Sequence, residues 1–328
     1  MHYRKFGRTD MNVAEVGYGA WGIGNSGWQG ADDQESLRAL HRYLELGGNF
    51  IDTAFDYGKG HSERLVGQAV REAGKYVYVA TKVPPKNEQW PARAGVPVEE
   101  VFPGDHVRQM AETSYKNLGL EVIDFLQLHV WSDEWVGQGD WLEVIEGLKR
   151  DGLIRYFGVS INDHQPENAL KLIETGVVDG VQVIYNVFDQ SPEDRLLEVC
   201  QQHGVGVIAR VPFDEGALTG AITPETTFPE GDFRNTYFGG DRRQQVDQRV
   251  RRILEDLQIP REALAETALR YILSHPAIST VIPGMRSIRN VERNVAVADG
   301  RGLEPEKVQK LHAHRWVRDF YTPAEEDA

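Results

Sequence analysis

From Val16 onward the chain repeats one pattern: a short β-rich run, then a stretch with the apolar spacing of an amphipathic helix. The runs centre on Val16–Gly19, Asn49–Asp52, Tyr76–Thr81, Ile123–His129, Tyr156–Val159, Gly180–Ile184, Val205–Ala209 and Thr280–Ile282. Alternation of this kind builds a parallel sheet. Eight parallel strands favour closure on themselves, because a closed sheet leaves no edge of unpaired N–H and C=O groups. The expected fold is therefore α/β, a (β/α)8 TIM barrel, as one domain over residues 1–328. Ahead of the first run, Tyr3–Phe6 and Asn12–Ala14 flank polar turn residues and are expected to pair as an N-terminal β-hairpin across the barrel floor. About 70 residues separate the last two runs, and the helix-like stretch Asp241–Leu257 precedes a second one beginning at Pro260, so additional helices are expected near the C-terminus.

Helix punctuation supports this order. Asp32 and Asp33 can cap a helix carrying Leu37, Leu40 and Leu44 on one face, with Gly47 past its end. Ser191 and Pro192 read as an N-cap and first-turn proline for a helix with Leu196, Leu197 and Cys200 as its stripe and Gly204 as its stop. Two segments break the rhythm: the proline-studded 84–103 after the third run, and 131–139 after the fourth. In barrels of this type the loops after the strands carry the active site, so both are expected on the functional face. The acidic tail 324–328 is expected to be disordered.

Composition narrows the function. A net charge of −14 repels nucleic acid and anionic lipid, so neither is an expected partner, and a bound anionic cofactor would need a local cluster of cations and backbone amides. One cysteine, Cys200, excludes an internal disulfide or a multi-cysteine metal site, and a single strand-end histidine offers no metal cluster. The start MHYRKFGRTD has no apolar core of a signal peptide, and no stretch approaches the roughly 20 apolar residues of a membrane span. A cytoplasmic protein is expected, and a monomer is compatible with everything in the sequence.

Asp52, Tyr57, Lys82 and His129 all lie at or just after the ends of these runs. Tyrosine, with an ordinary pKa near 10, is a poor proton donor at neutrality. A buried ammonium beside it would lower that pKa, and a carboxylate would keep the ammonium charged. A histidine can donate a hydrogen bond to an oxygen beside them.

The segment Asn49-Phe50-Ile51-Asp52-Thr53-Ala54-Phe55-Asp56-Tyr57-Gly58, with Ser62-Glu63 and Gly67, resembles the hallmark of the aldo-keto reductase family. The resemblance continues through Thr81-Lys82, Asp124 to His129, Gly158-Val159-Ser160, Val181-Gln182, Pro212 to Gly220, and Ile282-Pro283-Gly284 to Asn294, so it covers nearly the whole chain. It implies an NAD(P)H-dependent oxidoreductase that reduces aldehydes or ketones to alcohols by direct hydride transfer. Its catalytic four carry over to Asp52, Tyr57, Lys82 and His129, with Tyr57 as general acid. Histidine at 129 points to carbonyl reduction rather than the steroid double-bond reduction of relatives with glutamate there. The same cofactor residues would suit an NADPH-binding regulatory or sensor subunit with little turnover, the alternative reading.

The resemblance assigns the nicotinamide carboxamide to Ser160, Asn162 and Gln182, with Gly22 and Asp52 nearby. Ile161 separates Ser160 from Asn162, where many relatives have the asparagine directly after the serine. Arg210 replaces the aromatic residue that commonly stacks under the nicotinamide, and its planar guanidinium can stack in turn. Pro212, Gly216, Leu218 and Gly220 match the loop that closes over the pyrophosphate. Arg286 and Ser287, after Gly284, would hold an adenosine 2′-phosphate, favouring NADP(H) over NAD(H), while Asn290 and Asn294 would meet the adenine. Relatives often carry glutamate in place of Arg293. For the substrate, a small-molecule carbonyl or alcohol, the expected pocket is Trp21, Phe55, Tyr57, His129 and Trp131, with Trp90 or Trp135 as further candidates.

Overall fold

The computed structural model describes residues 1–322, and the acidic tail 324–328 lies outside them. Strands β1 (Tyr3–Lys5) and β2 (Asn12–Ala14) form the antiparallel hairpin in the register Tyr3 opposite Ala14. Eight parallel strands follow: β3 (Tyr18–Gly19), β4 (Phe50–Asp52), β5 (Tyr78–Val83), β6 (Ile123–Leu128), β7 (Ile154–Ser160), β8 (Gly180–Ile184), β9 (Gly206–Arg210) and β10 (Ile278–Val281). They neighbour one another in chain order. Parallel bridges Val16–Val281 and Gly19–Gly284 join the first strand to the last and close the barrel. The expected runs and these strands agree to within a few residues at each end.

The helix over Asp33–Glu45 begins as anticipated, with the Asp32 carboxylate accepting from the Glu35 N–H at 2.8 Å. The 191–204 stretch differs. Ser191–Asp194 is one 3₁₀ turn, Arg195 (φ −152°) resets the backbone, and the α-helix runs only over Leu196–His203. Ser191 does not cap it, because its hydroxyl and N–H both go to Asp189. Gly204 ends the helix at φ 63°, as the sequence suggested. Helices over Arg242–Leu257, Leu264–Ser274, Ile288–Val295 and Pro305–His312 make up the C-terminal additions. None of the described helices is long and apolar enough to cross a membrane.

The hairpin seals the barrel floor with Phe6. A Cβ added at Gly180 or Gly206 would stand 2.6 Å from the Phe6 ring, so glycine at both positions makes room for it. Phe6 meets Phe50 and Phe125 with ring centroids 6.1 and 5.2 Å apart, and Met11, Val13, Ala80 and Ile208 complete an apolar plug. Above it the barrel interior turns polar with Asp52, Lys82, Gln127 and Gln182, each no more than 1% exposed. The interior is therefore stratified, apolar below and polar above.

Candidate active site

Lys82 occupies the middle of the polar layer, and all three of its N–H donors are used. Nζ lies 2.6 Å from Asp52 Oδ1, 2.7 Å from the Thr53 carbonyl and 3.2 Å from the Tyr57 hydroxyl. The second oxygen of Asp52 accepts from Gln182 Nε2 at 2.8 Å and Gln127 Nε2 at 3.3 Å. Burial pulls the Lys82 pKa down, but Asp52 and Tyr57 more than offset it, so the ammonium is held charged. Tyr57 departs from the sequence expectation. Burial raises its pKa by more than Lys82 lowers it, and the net shift is upward, leaving a neutral phenol near neutrality.

Tyr57 is placed by two loops pressed together. A Cβ at Gly24 would stand 2.6 Å from the Tyr57 carbonyl carbon, and one at Gly58 (φ 75°) would stand 2.0 Å from the Gly24 oxygen. Ser26 Oγ accepts from the Gly58 N–H at 3.1 Å. Beneath, Ser62 donates to the Ala20 carbonyl at 2.9 Å, and Glu63 accepts from Thr81 at 2.6 Å and Asn117 at 2.8 Å. These bonds tie the helix His61–Glu72 to β5 and to the helix Gly104–Leu118.

His129, one residue past β6, faces Tyr57 edge-on with ring centroids 5.9 Å apart. Burial first, then the charges of Lys82 and Arg210, push its pKa well below the usual range, so its imidazole is neutral. Trp21 lies 6.2 Å from the Tyr57 ring, and Trp90, 47% exposed, stands edge-on to His129 at 5.7 Å. Phe55 is part-buried, with Lys59 Nζ 5.8 Å from its ring centre.

Trp131 is a correction. It is fully buried, packed edge-on against Trp135 and Trp141, with its indole N–H donating to Asp133 at 3.0 Å. It belongs to the packing between barrel and helices, and Trp135 packs there with it. Trp131→Phe is accordingly expected to cost about 1–3 kcal/mol of stability and leave substrate KM in place. Trp90→Ala should raise KM severalfold, so a KM and urea-denaturation comparison of the two variants checks the assignment.

Of the residues expected at the cofactor, Ser160 ends β7 and Gln182 lies on β8 opposite it. Asn162 is another correction: its amide accepts from the Ala92 N–H and donates to the Ala92 carbonyl and to Gln165, so it fastens the 84–103 loop to the barrel. Arg210 is pinned by Asp163 Oδ1 at 2.6 Å and the Ile161 carbonyl at 3.1 Å, with its Nε enclosed and without a partner among the described residues. It is fixed as well as planar.

The 211–220 loop carries three non-glycine residues at positive φ: Val211 (54°), Asp214 (49°) and Glu215 (55°), followed by Gly216 at 113° and, four residues on, Gly220 at 76°. Such strain persists where surroundings over-determine the backbone. Asp214 is held by Arg318 and Tyr237, and Glu215 accepts from the Tyr321 hydroxyl at 2.6 Å. Burial pushes the Glu215 carboxyl up to about 7. Pro212 and Leu218 are buried within this loop.

After β10, Gly284 has open space where a side chain would stand, and Gly22 lies against the Arg286 stem, 2.9 Å from an added Cβ to Cδ. Arg286 is half-buried and donates to the Gln29 carbonyl at 2.9 Å, and no carboxylate pairs with it among the described residues. Ser287 caps the helix that follows, Asn290 is exposed, and Asn294 is buried. A part-buried guanidinium without a counter-anion, beside an open glycine and a capped helix start, fits a phosphate. Arg293 instead donates to the Glu262 carbonyl.

The family model described as "Aldo/keto reductase family" matches residues 15–315. The chain belongs to the aldo/keto reductase family. It is thus an NAD(P)H-dependent oxidoreductase. Among solved structures, the holo form of an aldo-keto reductase from Bacillus halodurans is similar at 26% identity and a TM-score of 0.75, covering 98% of this chain and 100% of that one. An aldo-keto reductase from Klebsiella pneumoniae in complex with NADPH is similar at 25% identity and TM-score 0.68, covering 99% and 96%. An NADH-specific methylglyoxal reductase of Escherichia coli is 26% identical over 88% of this chain and 91% of its own.

Sequence reasoning missed Gln127, which supports Asp52 from β6. Its signal was available: it alternates with Phe125 on the inward face of the strand. Trp28, Phe233 and Arg234 were missed as well: the first two lie in irregular segments and Arg234 opens a single helical turn, too short for periodicity to mark it.

Proposed function

We propose that this reductase converts aldehydes or ketones to alcohols with Tyr57 as proton donor, and that it uses NADP(H) in preference to NAD(H). The observation that carries this reading is the Lys82 ammonium, saturated by Asp52, the Thr53 carbonyl and the Tyr57 hydroxyl. A bound nicotinamide dinucleotide supplies the hydride. Tyr57 Oη gives its proton to the carbonyl oxygen as that oxygen becomes alkoxide, and the phenolate left behind rests 3.2 Å from Lys82 Nζ. His129, neutral, donates a hydrogen bond to the same oxygen, and Trp21 and Trp90 wall the approach.

Ser160 and the free oxygen of Gln182 would meet the carboxamide, the 211–220 loop the pyrophosphate, and Arg286 and Ser287 the 2′-phosphate. The Klebsiella relative's complex with NADPH supports the cofactor class, while the Escherichia relative is NADH-specific, so the preference rests on Arg286. Calorimetry comparing NADPH with NADH, followed by turnover on a panel of aldehydes and ketones, tests both halves. Tight binding with no turnover on any substrate would favour a regulatory subunit instead.

The upward shift of the Tyr57 pKa leads to a specific expectation for pH. Reduction draws on the phenol, so its kcat is expected to stay level from about pH 6 to 9. Oxidation of the alcohol needs the phenolate, so its kcat should climb with pH, roughly tenfold per unit below the Tyr57 pKa. Level oxidation kinetics over the same range would remove Tyr57 from the proton transfer.

A further inference from the structure

We infer that Arg234 is a second cation of the cofactor's phosphate site, gathered with Arg286 around the indole of Trp28, and that the two guanidiniums together read the 2′-phosphate; this rests on the assignment of Arg286 above. Arg234 begins a short helix, Arg234–Tyr237, between β9 and β10, far in sequence from both other residues. That segment crosses to the loop after β3. The Phe233 N–H donates to the Gly27 carbonyl at 3.0 Å, and Asp232 Oδ2 accepts from the Gln29 N–H at 3.2 Å. The Phe233 ring lies 5.0 Å from Trp21 and 5.6 Å from Trp28. The bridge thus brings three elements together where β10 gives way to the helix capped by Ser287.

At this junction Trp28 has one guanidinium 4.0 Å from its ring centre, Arg234, and another at 5.6 Å, Arg286. Asp232 holds Arg234 at 2.8 and 2.7 Å, and no carboxylate comes within ion-pair distance of Arg286 among the described residues. Burial first, and then the charge of Arg234, push the Arg286 pKa down. Two part-buried cations with one direct ion pair between them, Arg286 feeling Asp232 and Glu35 only at a distance, are an unbalanced cluster. A phosphomonoester, with close to two negative charges at neutrality and three acceptor oxygens, balances it. The bidentate grip of Asp232 also pre-orients Arg234, so little side-chain entropy is lost on binding.

A purely structural staple is the competing role, since Arg234 also lies 4.6 Å from the Phe228 ring centre. The two roles separate by ligand. Calorimetric titration of the full chain is expected to show Arg234→Met weakening NADPH roughly tenfold and NADH less than about twofold, the loss of one charge-assisted contact. Arg234→Lys keeps the charge and stem but not the fork. It should fall between wild type and Arg234→Met, and it carries the test if the methionine variant does not fold. Adenosine 2′-monophosphate should displace NADH from the wild type at concentrations that leave Arg234→Met unaffected, with adenosine 5′-monophosphate treating both alike. Equal losses for NADPH and NADH would reduce Arg234 to a staple and overturn the inference, as would an unchanged NADPH affinity or a wild type that prefers NADH. A phosphorylated aldehyde whose KM, rather than the NADPH Kd, follows Arg234 would move the anion to the substrate side and overturn it too. A wild type that binds neither dinucleotide would instead strike the proposed function itself.

Discussion

Tyr57→Phe is expected to lower aldehyde-reduction kcat by about a hundred- to ten-thousandfold while dinucleotide affinity stays within about twofold. The substitution removes one oxygen whose sole hydrogen-bond partner among the described residues is Lys82 Nζ, and it leaves the ring's contacts with Trp21 and His129 intact. The lost rate is therefore that of protonating the alkoxide, since the pocket wall keeps its shape. Single-turnover kinetics beside calorimetry measure the two quantities separately. A variant retaining more than about a tenth of wild-type turnover would assign the proton to another group. His129 is the nearest candidate, but with its pKa held well below the usual range it offers no imidazolium near neutrality.

Lys82→Met should cost about 3–5 kcal/mol of stability as well as activity, because it strands the Asp52 carboxylate in the barrel with only two amides to answer it. Both side chains are essentially inaccessible, 0% and 2% exposed, so solvent relieves little of the penalty. Combining it with Asp52→Asn removes the stranded charge. The double variant is expected to recover most of the loss, which a urea-denaturation cycle over the four proteins reads directly. A single variant as stable as wild type would mean that Asp52 is protonated or hydrated in place.

The strands were legible because each is a short, nearly continuous β-rich run, and their parallel arrangement follows from the helices between them. Asp52 and Lys82 were legible through the segments around them. Their partners in space, Gln127 and Gln182, needed barrel closure to bring β4, β6 and β8 to one point. Trp131 misled because a tryptophan two residues past a catalytic candidate reads as a pocket wall, although chain direction after a strand is set by the loop and not by alternation. Here the Asp133 carboxylate draws the indole toward the helix layer. The tyrosine acidity misled for a different reason. Lys82 is as close as anticipated, but a sequence shows the charge and not the depth of burial, and depth decides the sign. The Trp28–Arg234 contact joins a loop residue to the start of a single helical turn about two hundred residues away, and no local pattern could announce it.

The Phe6 plug carries a kinetic consequence. Its ring fits against Gly180 and Gly206, and Arg4 reaches across 274 residues to the Ile278 carbonyl, so the hairpin must wait for strands far along the chain before it has anywhere to dock. Until β8 and β9 emerge, the hairpin's apolar face stays exposed and the half-assembled sheet keeps open edges. Contacts of such high sequence separation form late and slowly. The N-terminal hairpin, small as it is, is therefore the segment whose amide protons should gain protection last on refolding, and the point at which a nascent chain is most open to chaperone capture.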